Sequence, residues 1–283
     1  MVYDPVLRPN GVRCSSYEHV KGLLGTYVDT DGVTKAIRTL DNEGVQYGLK
    51  ALQSGVISAE EFVALNENIG GHDADGVWTG PALSASAAPR IQASADVLDK
   101  VYSAGLVTSG KQLAKVPIID LRHAQLAGDI HMNWRAWSIR DRLDKANGNH
   151  DNQLIWAYAL TASTGLQLNS LLIVDTWLAN VEKDTTTRSI EAKVKANKPA
   201  GAADRCLSAP NTEVCLDSED CPVKYQGSPR QTAGGPLAEN VLKCRLKSLN
   251  FNDADYSGIT FTEDQKTRLA RTFPNGVCDW SQA

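Results

Sequence analysis

The chain has 283 residues, 42% hydrophobic and 22% charged, with 29 Lys and Arg against 33 Asp and Glu for a formal net charge of -4. That balance excludes the strong basic field needed to hold nucleic acid or an anionic membrane. Six Trp and eight Tyr supply core-forming rings that disordered chains lack. The apolar run at 171–174 stops at Asp175, and no run approaches the roughly 18–20 residues of a membrane span.

From 1 to 110 the pattern is one of short helices joined by loops. Val45, Leu49 and Leu52 recur at helical spacing between 44 and 53. Ser58-Ala59-Glu60-Glu61 has the form of a capping box, in which Ser58 and Glu61 each satisfy a backbone N–H at a helix start. Phe62, Val63, Leu65 and Ile69 continue that helix, and Gly70-Gly71 ends it. After an Ala- and Ser-rich loop over 81–90, a third helix is predicted over 93–104 with Val97, Leu98 and Val101 inward. A helical segment without strand pattern reads as a cap or lid.

The texture changes at 111–183. Lys115-Val116-Pro117-Ile118-Ile119-Asp120 is a β-branched run entered through a proline, the pattern of a buried parallel strand. Met132, Ala136, Ile139 and Leu143 predict an amphipathic helix with Arg135 and Arg142 on its wet side, ended at Asn147-Gly148. Gln153-Leu154-Ile155-Trp156-Ala157-Tyr158 is a second buried strand, and Leu168, Leu171, Leu172, Leu178 and Val181 mark a second helix. Strand, helix, strand, helix is an α/β signature, and right-handed crossover places the two strands parallel in one sheet.

The remainder, 184–283, is polar and loop-rich, apart from a last helix capped by Thr262-x-x-Gln265 and carrying Leu269 and Ala270. It holds Cys206, Cys215, Cys221, Cys244 and Cys278; Cys14 stands apart near the start. No C-x-x-C occurs, so disulfides are favoured over a zinc knuckle, with the pairing open. Disulfides imply export, to the periplasm or beyond, yet Met1-Val2-Tyr3-Asp4 does not open like a signal peptide. Either a signal was removed or these residues belong to a longer precursor.

Ligands of open α/β sheets bind outside the carboxyl ends of the strands. The loop after the first strand is dense there: Asp120, Arg122, His123, Asp129 and His131 could supply a base and the acid that orients it. An ion-paired structural loop is the competing reading. Trp134 and Trp137 follow at once and could wall a pocket for a phenolic or sugar-like group. No G-x-S-x-G, dinucleotide, P-loop or H-E-x-x-H motif is present, so no cofactor and no zinc-protease site is expected. Asp73-x-Asp75-Gly76 and Asp253-x-Asp255-x-Ser257-Gly258 resemble the openings of calcium loops, but neither completes the ligand series, and turns are expected at both.

Several longer stretches carry a resemblance. Tyr3-Asp4-Pro5, Asn10-Gly11-Val12-Arg13-Cys14, Leu40-Asp41-Asn42-x-Gly44-Val45-Gln46-Tyr47-Gly48-Leu49 and Leu65-Asn66-x-x-Ile69-Gly70-Gly71-x-Asp73 lie in the first third. Ile118-Ile119-Asp120-Leu121-Arg122-His123, Asp129-Ile130-His131, Ala146-Asn147-Gly148-Asn149 and Phe273-Pro274-x-Gly276-Val277-Cys278-Asp279 follow. Together they resemble exported bacterial tannase-like α/β-hydrolases, over nearly the whole chain. The resemblance implies a carboxy-terminal half of a longer enzyme: a lid (1–110), part of a parallel hydrolase-type sheet (111–183) and a disulfide-bonded tail (184–283). An amino-terminal half would carry the serine. The expected activity is hydrolysis of a small-molecule or polymeric ester, with Asp129 as acid, Asp120 as its substitute and His131 as base; the substrate side falls to Arg122, His123, Trp134 and Trp137. The departure is that no histidine follows Trp156, where that fold places its base, so His123 and His150 stay open. The other expectations are a non-catalytic binding or structural module of that fold, and metal-assisted catalysis at Asp120, His123 and His131.

Overall fold

The computed structural model describes residues 2–4, 6–13, 18–30, 32–73, 75–80, 87–124, 132–160, 165–210 and 212–282. By internal contact the chain forms two units, one of residues 1–108 with 229–283, the other of 109–228.

The first unit opens with α1 (Lys21–Leu24), β1 (Thr26–Val28) and β2 (Thr34–Ala36), then α2 (Leu49–Gln53), α3 (Ala59–Asn68) and α4 (Ala95–Ser103). β1 and β2 form an antiparallel hairpin inside a segment expected to hold short helices joined by loops and no strands, with Tyr27 opposite Lys35. Its strands are three residues each, too short to display an alternation, and the Gly32 N–H bonds the Asp29 carbonyl between them. α2 starts later than the 3.6-residue pattern predicts. Its N-cap, Gly48, is left-handed, and Asn66 holds Tyr47 by both backbone groups, at 3.0 and 2.9 Å. α3 has the predicted capping box, Ser58 Oγ accepting from the Glu61 N–H while Glu61 accepts from the Ser58 N–H.

The second unit contains β3 (Ile118–His123), α5 (Trp134–Asn147), β4 (Gln153–Tyr158), α6 (Leu166–Lys183), α7 (Ile190–Ala196), β5 (Arg205–Ala209) and β6 (Thr212–Val214). Its sheet runs β3-β4-β5-β6; β3, β4 and β5 are parallel and β6 is antiparallel. One face packs Leu154 and Trp156 against Leu166, Trp177 and Val181 of α6. The apolar positions of α6 therefore divide, since Leu168, Leu171 and Leu172 are exposed. Gly110 makes a close approach at φ +85, where a side chain would strike the Arg142 carbonyl.

The chain then returns to the first unit with α8 (Pro229–Thr232), β7 (Arg245–Lys247), α9 (Glu263–Thr272) and β8 (Val277–Asp279). The second capping box is also present, between Thr262 and Gln265. Leu269 and Phe273 join Phe62, Val63, Leu49 and Tyr256 in the core of this unit, whereas Ala270 is exposed. Above that core, Arg268 pairs with Glu67 at 2.6 Å and Glu60 at 2.7 Å, and Arg271 with Glu67 at 2.9 Å. The Arg268 hydrogen bond holds the Glu67 carboxyl below its ordinary value of 4.5, against an opposing effect of burial, with Arg271 adding to the lowering. A carboxyl lowered in the folded state stabilises above its unfolded pKa and loses that contribution as pH falls through the folded one. Stability of this unit is therefore expected to drop below about pH 4.5. Glu67→Gln, which cannot ionise, should flatten that limb when urea midpoints are measured across pH 3–6; an unchanged slope would dismiss Glu67 as its source.

Two disulfides join Cys206 to Cys221 and Cys244 to Cys278. Cys215 is free and exposed, and Cys14 lies outside the described residues. Cys278 also donates its N–H to the Gly44 carbonyl at 2.9 Å, with Gly44 pressed so closely on β8 that any side chain there would collide. The 244–278 bridge closes 34 residues, a separation for which loop entropy predicts about 3–4 kcal/mol of stabilisation. Cys244→Ser should lower the urea midpoint accordingly, and a loss under about 1 kcal/mol would mean that the β7–β8 pairing alone holds the tail.

Candidate functional site

The carboxyl edge of the parallel sheet is built by register. β3 and β4 pair in step from Ile118 opposite Gln153 to His123 opposite Tyr158, so both strands end level. The Ala124 N–H still bonds the Tyr158 carbonyl at 2.9 Å, and the Asn133 amide, at the N-cap of α5, donates to the His123 carbonyl at 3.2 Å. The 125–131 connection thus runs from the end of β3 to the start of α5, and 161–164 from beyond β4 to the start of α6. Asp129 and His131 lie in the first of these, outside the described residues.

Alternation along β3 separates the remaining candidates. His123 sits edge-on to Tyr158, ring centroids 6.1 Å apart, with Nδ1 at 2.9 Å from the Ala124 carbonyl oxygen. Ile119 and Leu121 share that side and pack against the α6 core. Asp120 and Arg122 project to the α5 side. There Asp120 Oδ1 accepts from Arg122 at 3.0 Å and Oδ2 from the Gln153 amide at 2.7 Å. Gln153 also donates to the Ala136 carbonyl and accepts from Arg140 Nε at 3.1 Å. Arg140 in turn grips Asp204 with two hydrogen bonds, of 2.6 and 2.9 Å. Asp120 is therefore an inner link of a chain of polar bonds that runs from Arg122 through Gln153 and Arg140 to Asp204. It sits mid-strand, three residues short of the edge where His123 stands.

That division weighs against the metal-assisted alternative. Asp120 and His123 lie on opposite sides of one strand, and no described group of three His, Cys, Asp or Glu is placed to hold a metal. The two calcium-like segments are turns. Asp73 caps its own loop through the Asp75 and Val77 N–H groups, while Asp75 pairs with Arg13. At the other, Lys247 Nζ lies 2.8 Å from both Asp253 and Asp255, occupying the place a cation would take.

Trp134 is the first residue of α5 and carries Arg135 over its ring at 4.9 Å. Trp137, one turn on, meets Tyr225 at 5.8 Å and turns toward the segment pinned by Cys206–Cys221. His150 precedes β4 at the opposite edge, with Nδ1 at 2.8 Å from Asp144. Tyr158, Asn133 and Arg140 were missed in the sequence. The strand register alone would have found Tyr158; Arg140 meets an acid 64 positions away, which no local pattern signals.

The class defined by these observations is a disulfide-bonded α/β protein with a partly parallel sheet and a polar carboxyl edge. Residues 1–283 match the model of a tannase-like family of unknown function (DUF6351), and the chain belongs to that family. No curated protein and no solved structure matches it. No described helix is long and apolar enough to cross a membrane.

Proposed function

We propose that the chain is the acid–base and lid portion of an exported ester hydrolase with an α/β-hydrolase-type sheet. The observation that carries this reading is the level carboxyl edge of β3 and β4, from which the connection holding Asp129 and His131 departs. Asp129 orients His131, and His131 takes the proton of a serine as it attacks the ester carbonyl, then returns it to the departing alcohol. Asp120, with both oxygens engaged, positions β3 against α5 rather than serving as the acid. Arg122, His123 and Trp134 flank the ester. No G-x-S-x-G turn stands in these residues, so the serine is assigned to a preceding segment of the same protein. The helical part of 1–110 is assigned as lid, and two disulfides support an exported setting.

Labelling the protein from its native source with a fluorophosphonate, then mapping the modified peptide, tests the assignment. A labelled serine on a preceding G-x-S-x-G supports it. A labelled serine within these residues would relocate the nucleophile, and no labelling would favour the non-catalytic module.

A further inference from the structure

A cleft of about 610 Å³ opens in the second unit between α5 and the 215–225 segment, within the roughly 300–1,000 Å³ usual for small-molecule sites. Among the described residues, neither His123 nor Tyr158 lines it. One wall is aromatic. Trp137 and Tyr225 meet at 59°, and Tyr225 keeps 46% of its surface in solvent. Beside it on α5, one turn past Trp137, Arg140 sets a polar plane. The Asp204 carboxylate is gripped by both terminal nitrogens of Arg140 and also accepts from the Ile155 N–H at 2.8 Å, yet its side chain stays 32% exposed toward the opening.

The rim is preformed as well. Lys224 Nζ donates to the carbonyls of Ser218 and Glu219 at 3.0 and 2.7 Å, closing the segment into a turn. The buried Cys206–Cys221 bridge ties that turn to β5. Little ordering remains for a ligand to impose, which favours binding. The charges decide what kind of ligand: Asp204, Asp217 and Glu219 outweigh Arg140 and Lys224, so the lining does not attract an anion such as phosphate. What fits is neutral, with an apolar face for the ring wall and a hydroxyl edge that can both donate to Asp204 and accept from Arg140. We infer that this cleft binds a neutral sugar ring, its C–H face on Tyr225 and Trp137 and adjacent hydroxyls on the Asp204–Arg140 plane. This inference does not depend on the ester-hydrolase reading.

Cys215, free and exposed, also lines the cleft and is a local reporter. Alkylation by iodoacetamide is followed by mass mapping of the Cys215 peptide, with methyl glycosides of glucose, galactose, mannose and xylose as probes. At least one glycoside should slow labelling about threefold or more at saturation, with inorganic phosphate inert. Tyr225→Phe should keep the protection. Tyr225→Ala, with an unchanged circular dichroism spectrum, should weaken the sugar about three- to tenfold. The inference is overturned if no glycoside protects, if phosphate protects equally, if catechol protects where sugars do not, or if Tyr225→Ala behaves as wild type.

Discussion

Replacing His131 with alanine is expected to slow ester hydrolysis by roughly a thousandfold or more while leaving the fold intact. An unassisted serine hydroxyl is a poor nucleophile at neutral pH, so loss of its base falls mainly on kcat. His123→Ala should behave differently. Its ring is edge-on to Tyr158 at the strand end, on the proposed substrate side, so it should move KM more than kcat. The comparison is made on p-nitrophenyl esters with the protein from its native source. A His131→Ala enzyme with unchanged kcat would remove His131 from the mechanism. The reverse split, kcat falling only for His123→Ala, would transfer the role of base to His123.

The second large effect is expected at Arg90, in the first unit. Its guanidinium donates to the carbonyls of Asn42, Val45 and Asn66 at 3.3, 3.0 and 2.9 Å and to the Asn66 side chain at 3.1 Å. The rings of Tyr47 and Phe273 lie 5.3 and 5.2 Å away. No described carboxylate pairs with it, and its buried Nε has no described partner. Burial pulls its pKa down to about 10, which still leaves a full positive charge at neutral pH. Arg90→Met keeps most of the volume but strands the carbonyls of Asn42 and Val45 in one loop and of Asn66 in α3. The expected loss is about 3–5 kcal/mol in urea unfolding, because unsatisfied buried acceptors cost more than the bonds themselves contribute. Arg90→Lys should recover only a minor part, since an ammonium cannot reach all the acceptors from one position. A loss below about 1 kcal/mol would show that the 42–47 loop closes without this cation.

Elements with a dense local code were legible in the sequence. Both capping boxes, the two strands carrying Asp120 and Trp156, their parallel relation and the helix between them are where periodicity places them. What escaped depends on partners far along the chain. β5 becomes a third parallel strand only beside β4, and its five residues lie in a stretch dominated by turn formers. The leucines of α6 announce a helix but not which side is covered, because Trp177 rather than the leucine pattern selects the buried face. For the candidate site, the residue types at the strand end were legible. Their division into opposite sides, with Asp120 drawn into the Gln153–Arg140 chain, needed the strand register. Arg90 bonds Asn42, Val45 and Asn66, all at least 24 positions away, a meeting that no local spacing signals.

The first unit is discontinuous, since 229–283 completes what 1–108 begins. During synthesis, residues 109–228 leave the ribosome as one uninterrupted stretch while the first unit still lacks β7, α9 and β8. Phe62 and Val63 must wait for Leu269 and Phe273, some two hundred positions later, before their core is covered. A premature stop between 229 and 262 would therefore release a chain that has all of 109–228 but lacks α9 and β8, which cover the core of 1–108. Chaperone dependence should concentrate on residues 1–108, which emerge before 109–228 and are completed after them.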